Sequence, residues 1–338
     1  MENTTVSSAP DALTVTIAGG GRAYAYKQYR NNYTKYTRPP TNAPTAVSTP
    51  RPPTPTNTTS SSDHAIKTVF LIVMENQNWS SIKGNPSAPY INNTLLPMAS
   101  RAEQYYNPPG LHPGLGDYLW LESGQCFTSC GTDNDPSPFP NGLTGPALHS
   151  QLSAAGISWR GYFEGMTDGT CPMATTDSYA VDHNPFVYYN DVSSNPQCPN
   201  LQSYADLSGD PANGTVARYN VIVPDLCDDM HDPCAPISDP IKQGDTWLQN
   251  NVPAILSSPA YKNGGALFIT WDEGEHSTDG PIGMIVLSPY ARGGGYANTL
   301  HYTHSSTLRT LEEIFGVSPW LGDAANATDL RDLFRTFP

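Results

Sequence analysis

Val69-Phe70-Leu71-Ile72-Val73-Met74-Glu75-Asn76 is the stretch that decides how this chain folds. Its six consecutive apolar residues show neither helical periodicity nor strict alternation, so they read as a strand buried on both faces. Similar runs recur at Tyr219–Val223, Ala266–Trp271 and Gly283–Ser288. Helical patterns fall between and after them, at Leu148–Ala155, Ile241–Leu256 and Ser305–Phe315. In the last, Leu308, Leu311, Ile314 and Phe315 share one face and Gly316 stands at the end. Strands alternating with helices predict an α/β fold with a mostly parallel central sheet and helices on both faces.

Open sheets of this kind bind ligands beyond the carboxyl ends of their strands. Glu75-Asn76 follows the first run. Asp225, Asp228, Asp229 and His231 follow the second, and Asp272, Glu273, Glu275 and His276 the third. His301 and His304 then lead into the last helix. Carboxylate oxygen and imidazole nitrogen are ligands of hard or borderline divalent cations. Carboxylates converging from three strand ends need a cation to be tolerated, which points to a shared metal or phosphate site. Taken singly, Asp228 and Asp229 read as surface or cap residues, and His276 and His301 as polar surface residues.

Composition narrows the function classes. Charged residues make up 14% of the 338, and the formal net charge is -14. That acidity argues against a nucleic-acid partner. No apolar run exceeds six residues, so no transmembrane segment is expected. The charge is uneven: residues 1–62 carry six Lys/Arg and two Asp/Glu, whereas 63–338 carry 11 and 29. Residues 1–38 read as a basic, Tyr-rich, irregular N-terminal arm with one short strand at Ala12–Ile17. Residues 39–62 read as a Pro/Thr/Ser-rich linker, and 63–338 as the catalytic-type domain. An arm and a body of opposite charge suit self-association through residues 1–62. Six cysteines and seven N-x-[ST] sequons, at Asn3, Asn32, Asn57, Asn78, Asn92, Asn213 and Asn326, favour a secreted, disulfide-bonded glycoprotein. Sequence proximity suggests the pairs Cys126–Cys130, Cys171–Cys198 and Cys227–Cys234, among 15 connectivities that six cysteines allow.

Seven motifs in order, spanning about 66 to 317, resemble those of the bacterial and fungal phosphoesterase family of the alkaline phosphatase superfamily. That family includes acid phosphatases, phosphatidylinositol-3-phosphatase-like enzymes and phospholipase C relatives. Val73-Met74-Glu75-Asn76-Gln77-Asn78-Trp79 is similar to its V-M-E-N-x-[SW], and His112-Pro113-Gly114-Leu115-Gly116-Asp117-Tyr118 to its H-P-S-L-P-N-Y. Ser158-Trp159-Arg160-Gly161-Tyr162 resembles S-W-K-x-Y, and Asp182-His183-Asn184-Pro185-Phe186 resembles K-H-N-P-F. Pro224-Asp225-Leu226-Cys227-Asp228-Asp229-Met230-His231-Asp232 resembles P-N-L-x-x-D-x-H-D. Thr270-Trp271-Asp272-Glu273 matches T-W-D-E, and His304 to Glu312 resembles H-x-S-x-L-R-T-I-E.

The resemblance implies an alkaline phosphatase-like sheet and a divalent metal ion. Glu75, Asn76, Asp272 and Glu273 would hold the metal. Asp225, His231 and His304 would form a second ion site or a phosphate-binding and proton-handling group. His112 and His183, with Asn76, would line the phosphate pocket, and His112, His183 and His231 would act in catalysis. The substrate would be a phosphate ester, either a small molecule or a phosphoinositide headgroup. The chain departs from the family where the nucleophile belongs: Gly114 replaces the Ser, with Gly116 for Pro and Asp117 for Asn. Ser123, Thr128, Ser129 or Thr132 could supply a hydroxyl instead, or water could attack directly. The alternative is a catalytically retired fold, a pseudoenzyme serving as a glycosylated extracellular subunit that assembles through its arm.

Overall fold

The computed structural model describes Ser7–Ala9, Ala12–Thr14 and residues 64–338, apart from 137–141, 168–169, 177, 195–196, 208, 211–214 and 276–279. The chain divides into two units, Met1–Thr56 and Asn57–Pro338. In the first, β1 (Ser7–Ala9) pairs antiparallel with β2 (Ala12–Thr14), the segment where one short strand was expected. The remaining arm, the linker and their boundaries lie outside the described residues.

The second unit holds an eight-stranded sheet. Its strands are β3 (Thr68–Met74), β4 (Ser100–Tyr106), β5 (Trp159–Phe163), β6 (Leu201–Ser203), β7 (Tyr219–Val223), β8 (Gly265–Trp271), β9 (Met284–Leu287) and β10 (Tyr296–Thr303). They lie in the order β10-β4-β9-β8-β3-β7-β5-β6. Every neighbouring pair is parallel except those made by β9, which runs antiparallel to β4 and β8. No helix lies between β8 and β9 among the described residues, so the chain makes no crossover and returns antiparallel. Six of seven β3 residues and all seven of β8 are buried. Successive side chains point to opposite faces, so both faces are covered. Burying one such Val, Ile, Leu or Phe contributes about 1.5–3 kcal/mol.

The longer helices are α1 (Leu115–Ser123), α2 (Leu148–Ala154), α3 (Pro240–Ser257) and α4 (His304–Phe315). Asp239 caps α3 by accepting the Lys242 N–H, and Pro240 fits its first turn. Thr303 and Ser306 form a reciprocal capping box on α4, which ends at Gly316. Helix α1 carries no amphipathic signal because eight of its nine residues are buried, so it has no polar face to read. The three disulfides join Cys126 to Cys130, Cys171 to Cys198 and Cys227 to Cys234, the pairs expected from proximity. No helix among the described residues is long and apolar enough to cross a membrane.

Candidate functional site

The parallel register carries Glu75 and Asp272 side by side off the ends of β3 and β8, because Met74 pairs with Trp271. Short bonds fix this edge. The Asp272 N–H donates to Met74 O at 2.9 Å, and the Asn76 N–H donates to Asp272 Oδ1 at 3.1 Å. The Glu75 N–H donates to Asp229 O at 2.8 Å, which ties in the loop after β7. Asn76 adopts a left-handed backbone (φ 48°), a conformation Asn tolerates better than most residues.

Helix α1 points its N-terminus at these carboxylates. Gly114 precedes it, and a Cβ built there would fall 2.6 Å from Asp272 Oδ2 and 3.7 Å from Glu75 Oε1. The side chain that position 114 lacks would therefore project into the acidic cluster. Gly116 has a packing reason of its own: a Cβ there would lie 2.7 Å from Leu111 Cδ1. The Leu115 N–H donates to Asp133 Oδ1 at 3.0 Å, so a loop carboxylate already occupies the first amide of the helix. One turn on, Asp117 is fully buried beside Glu273 and Asp272.

Five carboxylates thus meet in dry surroundings: Glu75, Asp117, Asp229, Asp272 and Glu273. Burial, then the charges of Asp272 and Asp229, hold the Glu75 carboxyl well above its ordinary value. Burial, then Asp272 and Glu273, does the same to Asp117. Burial and then Glu273 push Asp272 up to about 7. Glu273 and Asp229 are raised by burial too, against the opposing pull of His112 and His183. Among the described ion pairs none brings a Lys or Arg to any of the five.

The partners are histidines and a tyrosine. His112 Nδ1 lies 2.7 Å from Glu273 Oε2. His183 sits between Glu75 (3.3 Å) and Asp229 (3.4 Å), with its ring stacked on Tyr118. Burial pushes His183 down, but the bond to Asp229 and nearby carboxylates outweigh it and lift the ring to about 9. The Tyr118 hydroxyl donates to Glu75 Oε1 at 2.8 Å. His304, in the first turn of α4, is fully buried and pushed down to about 4, which leaves it neutral. It binds the Asp272 carbonyl through Nε2 and the Tyr105 hydroxyl through Nδ1.

Of the residues expected here, Glu75, Asn76, Asp272, Glu273, His112, His183 and His304 come together around Gly114. His231 sits at the rim: its backbone N–H donates to Asp229, its ring centroid is 6.3 Å from that of His183, and its Nδ1 faces Asp232. Asp225 goes elsewhere. Its Oδ1 accepts the Cys227 and Asp228 N–H groups, and its own N–H donates to Glu164 Oε2. With Glu164 and Asp228 it forms the one acidic trio among the described residues whose donor atoms lie mutually within 4.8 Å. Asp229, read as a surface or cap residue, is instead fully buried, because the turn from 225 to 231 folds it under His183. The motif alignment carried a signal for it, since Asp229 rather than Asp225 occupies the motif's Asp. Thr128 is exposed and the Thr132 hydroxyl accepts the Asn134 N–H, so neither is held against Asp272. His276 lies outside the described residues.

The chemistry of this donor set suits a divalent cation: Asp272 Oδ2 and both Asp117 oxygens are buried without a hydrogen-bond donor, and hard oxygen ligands dominate, although no three of its His and carboxylate donor atoms stand mutually within 4.8 Å as the side chains lie here.

Comparisons with known proteins give the family and the fold. The chain is 30% identical over 266 residues to a phosphatidylinositol-3-phosphatase of Mycobacterium tuberculosis, covering 79% of this chain and 82% of that protein. It is 22% identical over 226 residues to a phosphate-repressible acid phosphatase of Penicillium chrysogenum, covering 62% and 51%. Its fold matches an alkaline phosphatase superfamily protein from Vibrio parahaemolyticus (TM-score 0.54, 10% identity, 78% of this chain and 69% of that one). It also matches human ectonucleotide pyrophosphatase/phosphodiesterase 5 (TM-score 0.51, 12% identity, 80% and 100%). The model of the Phosphoesterase family matches residues 101–318, and the chain belongs to that family.

Proposed function

We propose that this chain is an exported, divalent-metal-dependent phosphate monoester hydrolase of acid phosphatase type, working slowly because position 114 offers no hydroxyl. The observation that carries the reading is the buried carboxylate cluster at the ends of β3 and β8, facing the N-terminus of α1. Glu75, Asn76, Asp272 and Glu273 would hold the cation, which supplies charge neutralisation for the phosphate and for the attacking oxygen. His183, held protonated chiefly by its bond to Asp229, is placed to bind a phosphate oxygen or protonate the leaving group. His112, oriented by Glu273, lines the same pocket. Neutral His304 fixes the Asp272 backbone and so the direction of its carboxylate. With Gly at 114 the attack falls to water, and losing a nucleophile costs orders of magnitude in rate.

The names of the relatives support a phosphate monoester substrate, either a phosphoinositide headgroup or a small phosphate ester. The three disulfides and the sequons support export. The test is phosphate release from p-nitrophenyl phosphate and from a short-chain phosphatidylinositol 3-phosphate, with and without Mn²⁺. Metal-dependent release abolished by EDTA supports the reading. No release by the wild-type chain or by Gly114→Ser overturns it.

Gly114 itself favours a second reading, a retired phosphoesterase fold serving as a glycosylated extracellular subunit that assembles through residues 1–62. Light scattering on the chain with and without those residues separates the two. A monomer in both cases rejects assembly.

A further inference from the structure

We infer that Asp117 is a ligand of the divalent cation, replacing with a carboxylate the hydroxyl that position 114 lacks. The inference rests on the cleft's holding a cation, as proposed above, and adds a ligand the family pattern does not contain.

Three observations converge on Asp117. First, it lies three residues from Gly114 on α1, so the two share a helix face directed at the same cluster. Its carboxyl is within hydrogen-bond reach of Glu273 and close to the charge of Asp272, and Oδ1 stands 3.7 Å from His304 Nε2.

Second, it is an exception to how this fold treats buried acids. Glu122 accepts from the Tyr219 hydroxyl, Asp245 from the Tyr90 and Ile91 N–H groups, and Glu312 from the Leu321 N–H. Asp229 accepts from the His231 N–H, Asp272 from the Asn76 N–H, Glu75 from Tyr118 and Asp329 from Arg331. Glu273 is paired with His112. Among the described residues Asp117 is the buried carboxylate for which neither oxygen finds a donor. An ionised carboxylate without partners is strongly destabilising in a dry interior. It needs either a proton shared with Glu273 or a cation.

Third, the changes compensate. Removing the hydroxyl at 114 takes away one oxygen donor, and the Asp at 117 returns one with a full negative charge. The same charge opposes a phosphate oxygen entering beside it, so the cleft gains affinity for a hard cation and loses affinity for an anion.

Asp117→Asn separates cation from shared proton. The amide has the shape of the carboxyl and donates to Glu273 as a protonated Asp would, but it is a poorer ligand. Mn²⁺ affinity is read at neutral pH from the free-ion electron paramagnetic resonance signal, and the melting temperature of the EDTA-treated protein is taken alongside. Both chains carry Glu164→Gln, which breaks up the separate Glu164–Asp225–Asp228 trio. The expected result is a Kd weakened by about tenfold or more with a metal-free melting temperature equal or higher, since one buried like charge is gone. An unchanged Kd means a proton shared with Glu273 and overturns this inference alone. A weaker Kd with a lower metal-free melting temperature means a general folding fault and also overturns it. Failure of the parent chain to bind Mn²⁺ at millimolar concentration overturns the metal reading itself.

Discussion

Asp272→Asn is the substitution whose effect is most directly worked from the structure. Asn keeps an acceptor for the Asn76 N–H, now 3.1 Å from Oδ1, and removes the charge. The Asp272 carboxyl is fully buried and raised, first by burial and then by Glu273, from an ordinary 3.8 to about 7. Between those values the folded chain binds a proton that the unfolded chain releases. The stability from this group is therefore fully present at acid pH and is lost as pH rises through about 7. Roughly three units at 1.36 kcal/mol each gives about 4 kcal/mol. Asn does not titrate. In EDTA, the wild type should lose about 4 kcal/mol of stability relative to Asp272→Asn between about pH 4 and pH 8. Urea denaturation across that range measures the difference. A difference that is flat, or that moves in favour of the wild type as pH rises, refutes the account of the buried cluster. With Glu164→Gln in both chains, adding Mn²⁺ should stabilise the chain that keeps Asp272 at neutral pH and leave the Asp272→Asn variant little changed.

Other perturbations follow from particular contacts. Gly116→Ala sets a methyl 2.7 Å from Leu111 Cδ1 and 3.3 Å from Ser129 O, and should destabilise by about 1–3 kcal/mol in urea titration. The Asn92 side-chain amide is already spent on the Ile82 and Ala88 carbonyls and accepts from the Gly84 N–H. Peptide mapping of the chain directed through the secretory route of a glycosylating host should therefore find Asn92 bare and exposed Asn326 modified; glycan on Asn92 would contradict this packing. His149 is buried between Glu122 (3.4 Å) and Asp191 (3.3 Å). His149→Phe should cost about 3 kcal/mol or more, because it leaves the buried Glu122 carboxyl without its imidazole partner; a variant as stable as wild type would count against that pairing.

Much of the architecture is legible in the chain because it is local. The runs at Val69, Tyr219 and Ala266 are apolar on both faces, and parallel pairing sends Glu75 and Asp272 to one edge without further information. Disulfide pairing was legible because each cysteine joins the next one along the chain. Strand direction was not: the Met284–Leu287 run looks the same parallel or antiparallel, and only the missing crossover decides it. Helix α1 was invisible because burial on all sides erased its polar face. Asp225 and Asp229 exchanged roles for a long-range reason. The turn between them spends Asp225 on its own backbone amides and presses Asp229 under His183, which arrives from elsewhere in the sequence. That Asp117 lies beside Glu273 likewise depends on how α1 packs against the end of β8.

A metal-dependent phosphoesterase site weakened at one position is tested by p-nitrophenyl phosphate turnover of the wild type and Gly114→Ser, each with Mn²⁺ and with EDTA. The new side chain must displace Asp272 Oδ2 from its 2.6 Å approach, so the hydroxyl enters against the cation ligands. The wild type should release phosphate slowly and only without EDTA, and Gly114→Ser faster by about a hundredfold or more. Equal rates in the two proteins, or rates indifferent to EDTA, would contradict it.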